Sequence, residues 1–525
     1  MRALLIVLLV LTLSLPLFAQ TVSVVADQVS YSGSMYYFHQ RKVARTTTGV
    51  LVVAWSPTSG SGGQIQYSVY DPVFQSWSPA VALSNAPYNA LQPALAADEL
   101  GNIHATWQQR NSNLDPYQIF YAKFDGVSWS TPKKISLYDT EPSEEATIEV
   151  GSQGYLWVVW NNDGAGVGNE YVYAIKSTDG GTTWSSTPDV LSSGGTIGTS
   201  IEDARVALGS GPGGKMVAAW DNHLTGSALN PRETFVNQYD GSSWRGQELL
   251  TDTAASAAEG RLGNRYSAVA IDQNSMIYVF YNINRSSSDP LPQELVMHRK
   301  AWDDAWSPVP TTVIESHPSV GMRSVSAVVD SSGIIHLAYR RDVAADTVNN
   351  IDEIAYTWTK DGGTTWAPRI VMSRPSYDGG YVTLGNRVRT AYGVDIAWRE
   401  SADSNTNDQS VTAVLYGNVP YSVITSVNEQ IIPVAYEMVS NYPNPFNPST
   451  TVQYQTVGHG RVHLGVYDGL GRLVRTLVDE VQPAGEYHVQ WDGWNDAGRS
   501  VSTGIYFVRL STENSVRVAK MMLLK

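Results

Sequence analysis

Between residues 45 and 420 the hydrophobic and polar positions follow a repeating unit. Each unit has an apolar run ending in Trp or Tyr, a polar loop, a second apolar run, a tight Asp/Gly turn with a Trp, and a closing run. The leading runs are Gly49–Trp55, Gly101–Trp107, Gly154–Trp160, Lys215–Trp220, Met276–Tyr281, Ile334–Tyr339 and Val394–Trp398. Their terminal aromatics are spaced by 52, 53, 60, 61, 58 and 59 residues. Gly and Pro recur too often for long 3.6-residue stripes, so these runs read as strands. A four-stranded sheet of this size cannot bury both its faces alone, whereas sheets set radially cover one another. The predicted fold is therefore all-β: a six- or seven-bladed β-propeller over residues 21–420, with seven blades favoured. Residues 381–420 supply three strands, and Val22–Tyr31 supplies the missing outer strand that shuts the ring.

The turns carry a second regularity. S-T-D-G-G-T-T-W at 177–184 and T-K-D-G-G-T-T-W at 359–366 are full copies, with shorter ones at Asp71 with Trp77, Asp125–Trp129, Asp240–Trp244 and Asp303–Trp306. The Asp accepts backbone N–H bonds within the turn, the Gly takes positive φ, and the Trp fills the space between strands. These turns resemble Asp boxes (BNR repeats), the repeat of sialidase-like propellers. The resemblance implies that Asp179, Gly181, Trp184, Asp361, Gly363 and Trp366 are structural and lie on the face away from the active site.

The last 90 residues, 436–525, change register. They contain N-Y-P-N-P-F-N-P at 441–448, V-Y-D-G-L-G-R at 466–472, W-D-G at 491–493 and G-I-Y-F-V-R-L at 504–510. The alternation of Val462, Leu464 and Val466 fits any β-sandwich, including an ordinary immunoglobulin-like or sugar-binding module. Together the motifs resemble the type A C-terminal sorting domain of the bacterial type IX secretion system, a FlgD-like immunoglobulin fold. That resemblance implies the secretion machinery as a partner through residues 436–525. It also implies loss of the tail after outer-membrane passage, and release or attachment to surface polysaccharide. Residues 421–435 read as the linker.

At the other end, Arg2, the apolar run Ala3–Leu15 and Leu17-Phe18-Ala19 read as a signal peptide over residues 1–19. The run is shorter than the ~20 residues a spanning helix needs, so no transmembrane segment is expected in the mature chain. The expected location is secreted or attached to the outer-membrane surface.

Composition narrows the function further. There is no cysteine, which removes disulfides, a lipoprotein anchor and thiolate metal sites. A net charge of −14 argues against a nucleic-acid partner. The nine His show no metal-ligand spacing, Asp403–Asp408 reads as a polar turn, and no cofactor fingerprint is present, so neither metal nor cofactor is expected. His104 and His336 sit inside apolar runs and read as core residues.

Candidate ligand-binding residues fall in two sets. The loops 108–118, 161–170, 221–234, 282–294, 340–353 and 399–410 are long and polar, as binding loops are. Asp221, Arg340 and Arg399 each follow a terminal aromatic directly, a place near the axis, and Asp163, His223, Arg285, Arg341, Asp342 and Glu400 lie in the same loops. The second set, Glu145, Arg205, Arg265, Arg323 and Arg387, occupies similar places ahead of the terminal aromatics and would ring the channel mouth. Three convergent arginines can clamp a carboxylate by forked hydrogen bonds. The alternative is a solvated channel in which they pair with Glu202, Asp203 or Glu259. The sialidase resemblance implies an arginine triad, a Tyr–Glu nucleophile pair and an Asp acid/base. Here the arginine signature has only echoes at Arg41 and Arg45, and Ser56–Gln64 and Ser84–Gln92 hold no Asp or Glu. Nothing singles out Tyr266 or Tyr392 as a nucleophile, and no catalytic residue is assigned. The sequence reads first as an exported propeller binding glycans or another extracellular polymer through its loop face. A sialidase-like hydrolase or lyase of acidic sugars, and a structural surface protein, are the alternatives.

Overall fold

A computed structural model describes residues 21–524 except 28, 30–34, 36–38, 57–62, 87, 138, 164–169, 193–204, 224–231, 252–260, 286–293, 308–309, 316–322, 343–351, 375–376, 402–411, 426–437, 443, 457–459, 470, 483–484 and 513–515. The described part is almost wholly β. Up to residue 419 the strands form seven successive antiparallel units, whose first strands are Val43–Arg45, Asn89–Ala97, Ser143–Val150, Ala207–Ser210, Arg261–Ile271, Arg323–Val329 and Asp378–Leu384. The fourth and fifth units are joined into one eight-stranded sheet by a single parallel pair, Arg232 with Gly263. The seventh unit takes its outer strand from the start of the chain: Thr21–Asp27 runs antiparallel to Thr412–Val419.

First strands of consecutive sheets are neighbours, and the seventh sheet touches the first through Val394–Ser401 and Val43–Arg45. Each apolar cluster is shared by two consecutive sheets. Trp107 packs with Ala54 of the first sheet, Trp160 with Tyr121 of the second, and Trp398 with Tyr356 of the sixth. A further cluster joins Trp55 and Val53 of the first sheet to Tyr416 of the seventh. All seven terminal aromatics are buried, so the sequence pattern marks the interfaces between sheets rather than the middle of any one sheet.

The Asp-box turns clasp the preceding sheet. Asp179 accepts bonds from the Thr183 N–H (2.8 Å) and hydroxyl (2.7 Å), and Asp361 repeats them with Thr365 (2.9 and 2.7 Å). The Thr183 bonds draw the Asp179 carboxyl down to about 2. Burial pushes that of Asp361 up, but its bonds from Thr365 and Thr359 outweigh this and bring it to about 2. Gly181 has φ +86°, and a Cβ there would collide with the Tyr121 ring of the second sheet. Through that close approach Trp184 meets Tyr121 edge-on at 5.1 Å, and Trp366 meets Phe280 at 6.0 Å. Lys133 and Arg299, each from the preceding sheet, donate to turn carbonyls at Gly181 (2.5 Å) and Gly362 (2.7 Å). The Trp thus bridges two sheets, where the sequence suggested a plug within one.

His104 and His336 are fully buried and identically wired. Each ring reaches an Asp at the first hairpin (Asp98, 3.1 Å; Asp330, 3.2 Å) and a Tyr on the third strand (Tyr121, 2.8 Å; Tyr356, 2.7 Å). Burial pushes both imidazoles below 6.5, against the pull of their carboxylates. His39 is lowered too, again chiefly by burial. Below that value the unfolded chain takes up protons that the folded chain refuses, so this stability is complete above about pH 6.5 and falls as the pH drops through the folded values. Urea midpoints are expected to fall between about pH 7.5 and about pH 5.5, and the slope to shrink in the double variant His104→Gln, His336→Gln. A slope equal to that of the natural chain would contradict this assignment.

The helix Tyr421–Thr425 lies within the stretch read as linker, yet it packs on the sixth and seventh sheets. Ile424 is buried among their residues, and the Tyr421 hydroxyl donates to Asp330 at 2.6 Å. The C-terminal unit has a three-stranded sheet (Met438–Tyr442, Thr450–Thr456, Gly485–Trp491) and a four-stranded one (Leu473–Gln482, Gly460–Asp468, Gly504–Ser511, Val516–Leu523). The expected alternation holds there: Val462, Leu464 and Val466 are buried with Trp491 and Leu510. Among the described residues no helix is long and apolar enough to cross a membrane.

Candidate functional site

Antiparallel pairing gives the seven sheets two faces. First strands begin and second strands end on one, here the loop face, as Ser143 pairs with Asn162. First hairpins and Asp-box turns lie on the other, the turn face, where Val150 pairs with Leu156. Most of the polar loops of the loop face lie outside the described residues, as do Glu202, Asp203, Glu259 and the side chains of Asp163, His223, Arg285, Asp342 and Tyr266.

The segment His39–Lys42, just before the first inner strand, reaches several sheets. Gln40 donates to the Ala146 carbonyl at 2.7 Å. Arg41 donates to those of Ala327 (3.1 Å) and Gly385 (3.3 Å) and lies 3.6 Å from Glu149. Lys42 Nζ donates to Pro93 O and Gln40 Oε1, both at 2.7 Å. In sequence Arg41 and Lys42 are only a faint echo of a sialidase arginine signature, and nothing there singles out His39 or Gln40. Burial pushes the Lys42 amine well below its ordinary value, against the pull of Glu145. It pushes His39 down as well, with the charges of Lys42 and Arg205 adding to the effect.

Glu145 begins the third inner strand at a left-handed bulge, φ +57°. Gln92, Ser324 and Tyr381 form the same bulge in the second, sixth and seventh inner strands, at φ +59°, +63° and +51°. A bulged residue loses its ladder partner. Its N–H is met from the sheet before: Gln92 N donates to Ser56 Oγ (2.9 Å), and Glu145 N to Gln108 Oε1 (2.8 Å). Ser56 and Gln108 each follow a terminal aromatic, the place that Asp221, Arg340 and Arg399 hold in other sheets. At Ser56 and Gln108 that place ties one sheet to the next.

Arginine cannot accept an N–H, so Arg340 and Arg399 turn to carboxylates instead, and of these pairs only Arg340 with Asp378 crosses from one sheet to the next. Arg399 is buried and donates to Asp378 at 3.3 Å, while Arg340 pairs with Asp352 and lies 3.8 Å from Asp378. Arg341 pairs with Glu353 at 3.3 Å, and Glu400 holds Arg374 (2.6 Å) and Trp398 Nε1 (2.8 Å). Asp221 is fully buried, on a strand position opposite Thr234.

The expected arginine ring is divided between the two faces. Arg265 and Arg323 take loop-face positions opposite Asn282 and Arg340, and their side chains lie outside the described residues. Arg205 stands half-buried ahead of the fourth inner strand, near His39. Arg387 is on the turn face. It follows the end of its inner strand, donates to Val150 O at 2.6 Å, and lies 3.4 Å from Glu99 and 3.7 Å from Glu149. The seventh hairpin, between Leu384 and Val394, is longer than the others, so counting back from Trp398 lands inside it. Arg387, Arg389 and Tyr392 line a cavity of about 1100 Å³ on the turn face, with Glu99, Asp179 and Asp330. Arg387 therefore cannot converge with Arg265 and Arg323 on one carboxylate.

Residues 448–515 match the FlgD Ig-like domain family. No curated protein matches the chain in sequence. Among solved structures, an ulvan lyase bound to an oligosaccharide of glucuronic acid and sulfated rhamnose has a TM-score of 0.53 at 13% identity, over 77% of this chain and 96% of its own. The polysaccharide lyase Uly1 has a TM-score of 0.50 at 9% identity, over 74% of this chain and 91% of its own. At these identities the likeness is one of fold.

Proposed function

We propose that this protein is an exported, closed seven-bladed β-propeller that binds acidic polysaccharide across its loop face, with residues 436–525 acting as a type IX sorting domain. The fold shared with two polysaccharide lyases over nine-tenths of their length carries the ligand class. The axis is sealed by His39–Lys42, so a polymer lies across the loop face rather than threading the ring. The match to a FlgD-type Ig-like domain and the terminal motifs support the export route.

A second reading is a lyase, the activity named for the two solved structures that share the fold. The full chain is tested on immobilised polygalacturonate and ulvan, reading binding together with the near-ultraviolet absorbance of an unsaturated uronate. Binding without absorbance is the expected result. Absorbance that grows with time establishes the lyase, and no binding to either polymer overturns the proposal. Fusing residues 436–525 to a periplasmic reporter in a type IX-secreting host tests the address, which falls if the reporter stays inside.

A further inference from the structure

Among the described residues, four arginines of the loop face are neutralised in place. Arg340, Arg341, Arg374 and Arg399 each have a carboxylate partner. Arg110, at the end of the second strand of the second sheet, is different. Its guanidinium lies over two tyrosine rings, Tyr117 at 4.6 Å and Tyr88 at 5.1 Å, and forms no ion pair among the described residues. Glu144 is near enough for its charge to reach Tyr117. Nη1 makes one long bond, to Asn113 O at 3.4 Å, and Nε is buried with no partner.

Beside it is a second unsatisfied group. Asn89, directly across the strand pair from Arg110, is 2% exposed. Its Nδ2 donates to the Tyr117 hydroxyl at 3.0 Å, while its Oδ1 is buried with no partner. A buried acceptor without a donor is costly and native structures rarely keep one, and a cation fixed between rings has already lost its rotamer freedom. The pair offers a forked cationic donor next to an empty neutral acceptor. That combination suits a sugar bearing an anionic group on Arg110, with Asn89 holding Tyr117 in place beneath it.

We propose that Arg110, Tyr88, Tyr117 and Asn89 form a subsite for one anionic sugar residue, binding its carboxylate or sulfate ester through Arg110. This rests on the loop-face reading above and specifies where on that face the charge is recognised.

The full chain is assayed against immobilised polygalacturonate (carboxylate only), dextran sulfate (sulfate only) and dextran. Arg110→Ala is expected to weaken binding to one or both charged polymers about tenfold or more, with thermal unfolding unchanged. Arg110→Lys is expected to lose most of the same affinity, because a lysine keeps the charge and lacks the fork. Loss on polygalacturonate alone assigns a uronate, and loss on dextran sulfate alone a sulfate ester. If the natural chain binds the charged polymers and Arg110→Ala binds them as tightly, the subsite is wrong while the loop-face reading stands. If the natural chain binds neither polymer, both fall.

Discussion

Replacing Arg41 by alanine is expected to destabilise the ring of sheets by about 3–5 kcal/mol, the range for breaking a buried charge pair from one side. Arg41 is almost fully buried on the axis. Its guanidinium serves carbonyls in the sixth and seventh sheets, at Ala327 and Gly385, and faces Glu149 in the third, while its own carbonyl accepts from Leu95 N of the second at 2.7 Å. The alanine leaves two carbonyls without a donor and removes a cation from beside a buried carboxylate. Arg387, 3.7 Å from Glu149, and Asn386, which donates to it at 3.2 Å, soften the loss without replacing those carbonyl bonds. Lysine at position 41 keeps the charge but gathers its donors on one nitrogen, which cannot span the partners that Nη1, Nη2 and Nε reach, so an intermediate loss is expected. Urea unfolding followed by tryptophan fluorescence reads the effect, since all but two of the tryptophans precede residue 436. A midpoint within error of the natural chain would mean that the axis is a solvated channel.

The repeat of apolar runs located the second strand of every sheet, because each terminal aromatic is buried at an interface and cannot drift without opening it. Asp179 and Asp361 were legible as turn residues for a local reason: their partners, Thr183 and Thr365, lie four residues away. The axial chemistry was far less legible, since it joins residues hundreds of positions apart. Arg41 meets Gly385, and Arg45 holds Asp395 at 2.7 Å, contacts that no spacing rule encodes. Arg387 shows how a repeat misleads. The hairpin before Trp398 is lengthened, and the equivalent of Glu145 is Tyr381, marked by its left-handed bulge rather than by its distance from the aromatic. Arg110 went unnoticed because it is one polar residue in a polar loop. Its two tyrosines, one just ahead of the inner strand and one at the far end of the loop, become a signal only when the strand pairing is known.

Deleting residues 21–29 is expected to cost the sheets on the order of 5 kcal/mol and to make the chain aggregate. Thr21–Asp27 is the outer strand of the seventh sheet, and its loss bares the whole edge of Thr412–Val419. The deletion also removes Val25 and Val29, which are buried with Leu51, Trp55 and Tyr416 where the seventh sheet meets the first. Trp77 of the first sheet loses the Ser23 hydroxyl that accepts its Nε1–H at 2.9 Å, and the Thr412 carbonyl loses the Val29 N–H at 3.1 Å. Two buried valines contribute about 1.5–3 kcal/mol each, and the ladder bonds about 1 kcal/mol apiece before chain entropy is subtracted. The entropy term explains why the net figure is far below the gross sum. Val25→Asp isolates the interface from the edge: the strand is retained, but a charge is forced into the cluster, so the urea midpoint should fall without the oligomers that an open edge recruits. Size-exclusion chromatography and urea unfolding of both variants separate the two effects. A deletion variant that stays monomeric with an unchanged midpoint would show that the ring does not depend on its N-terminal strand for closure.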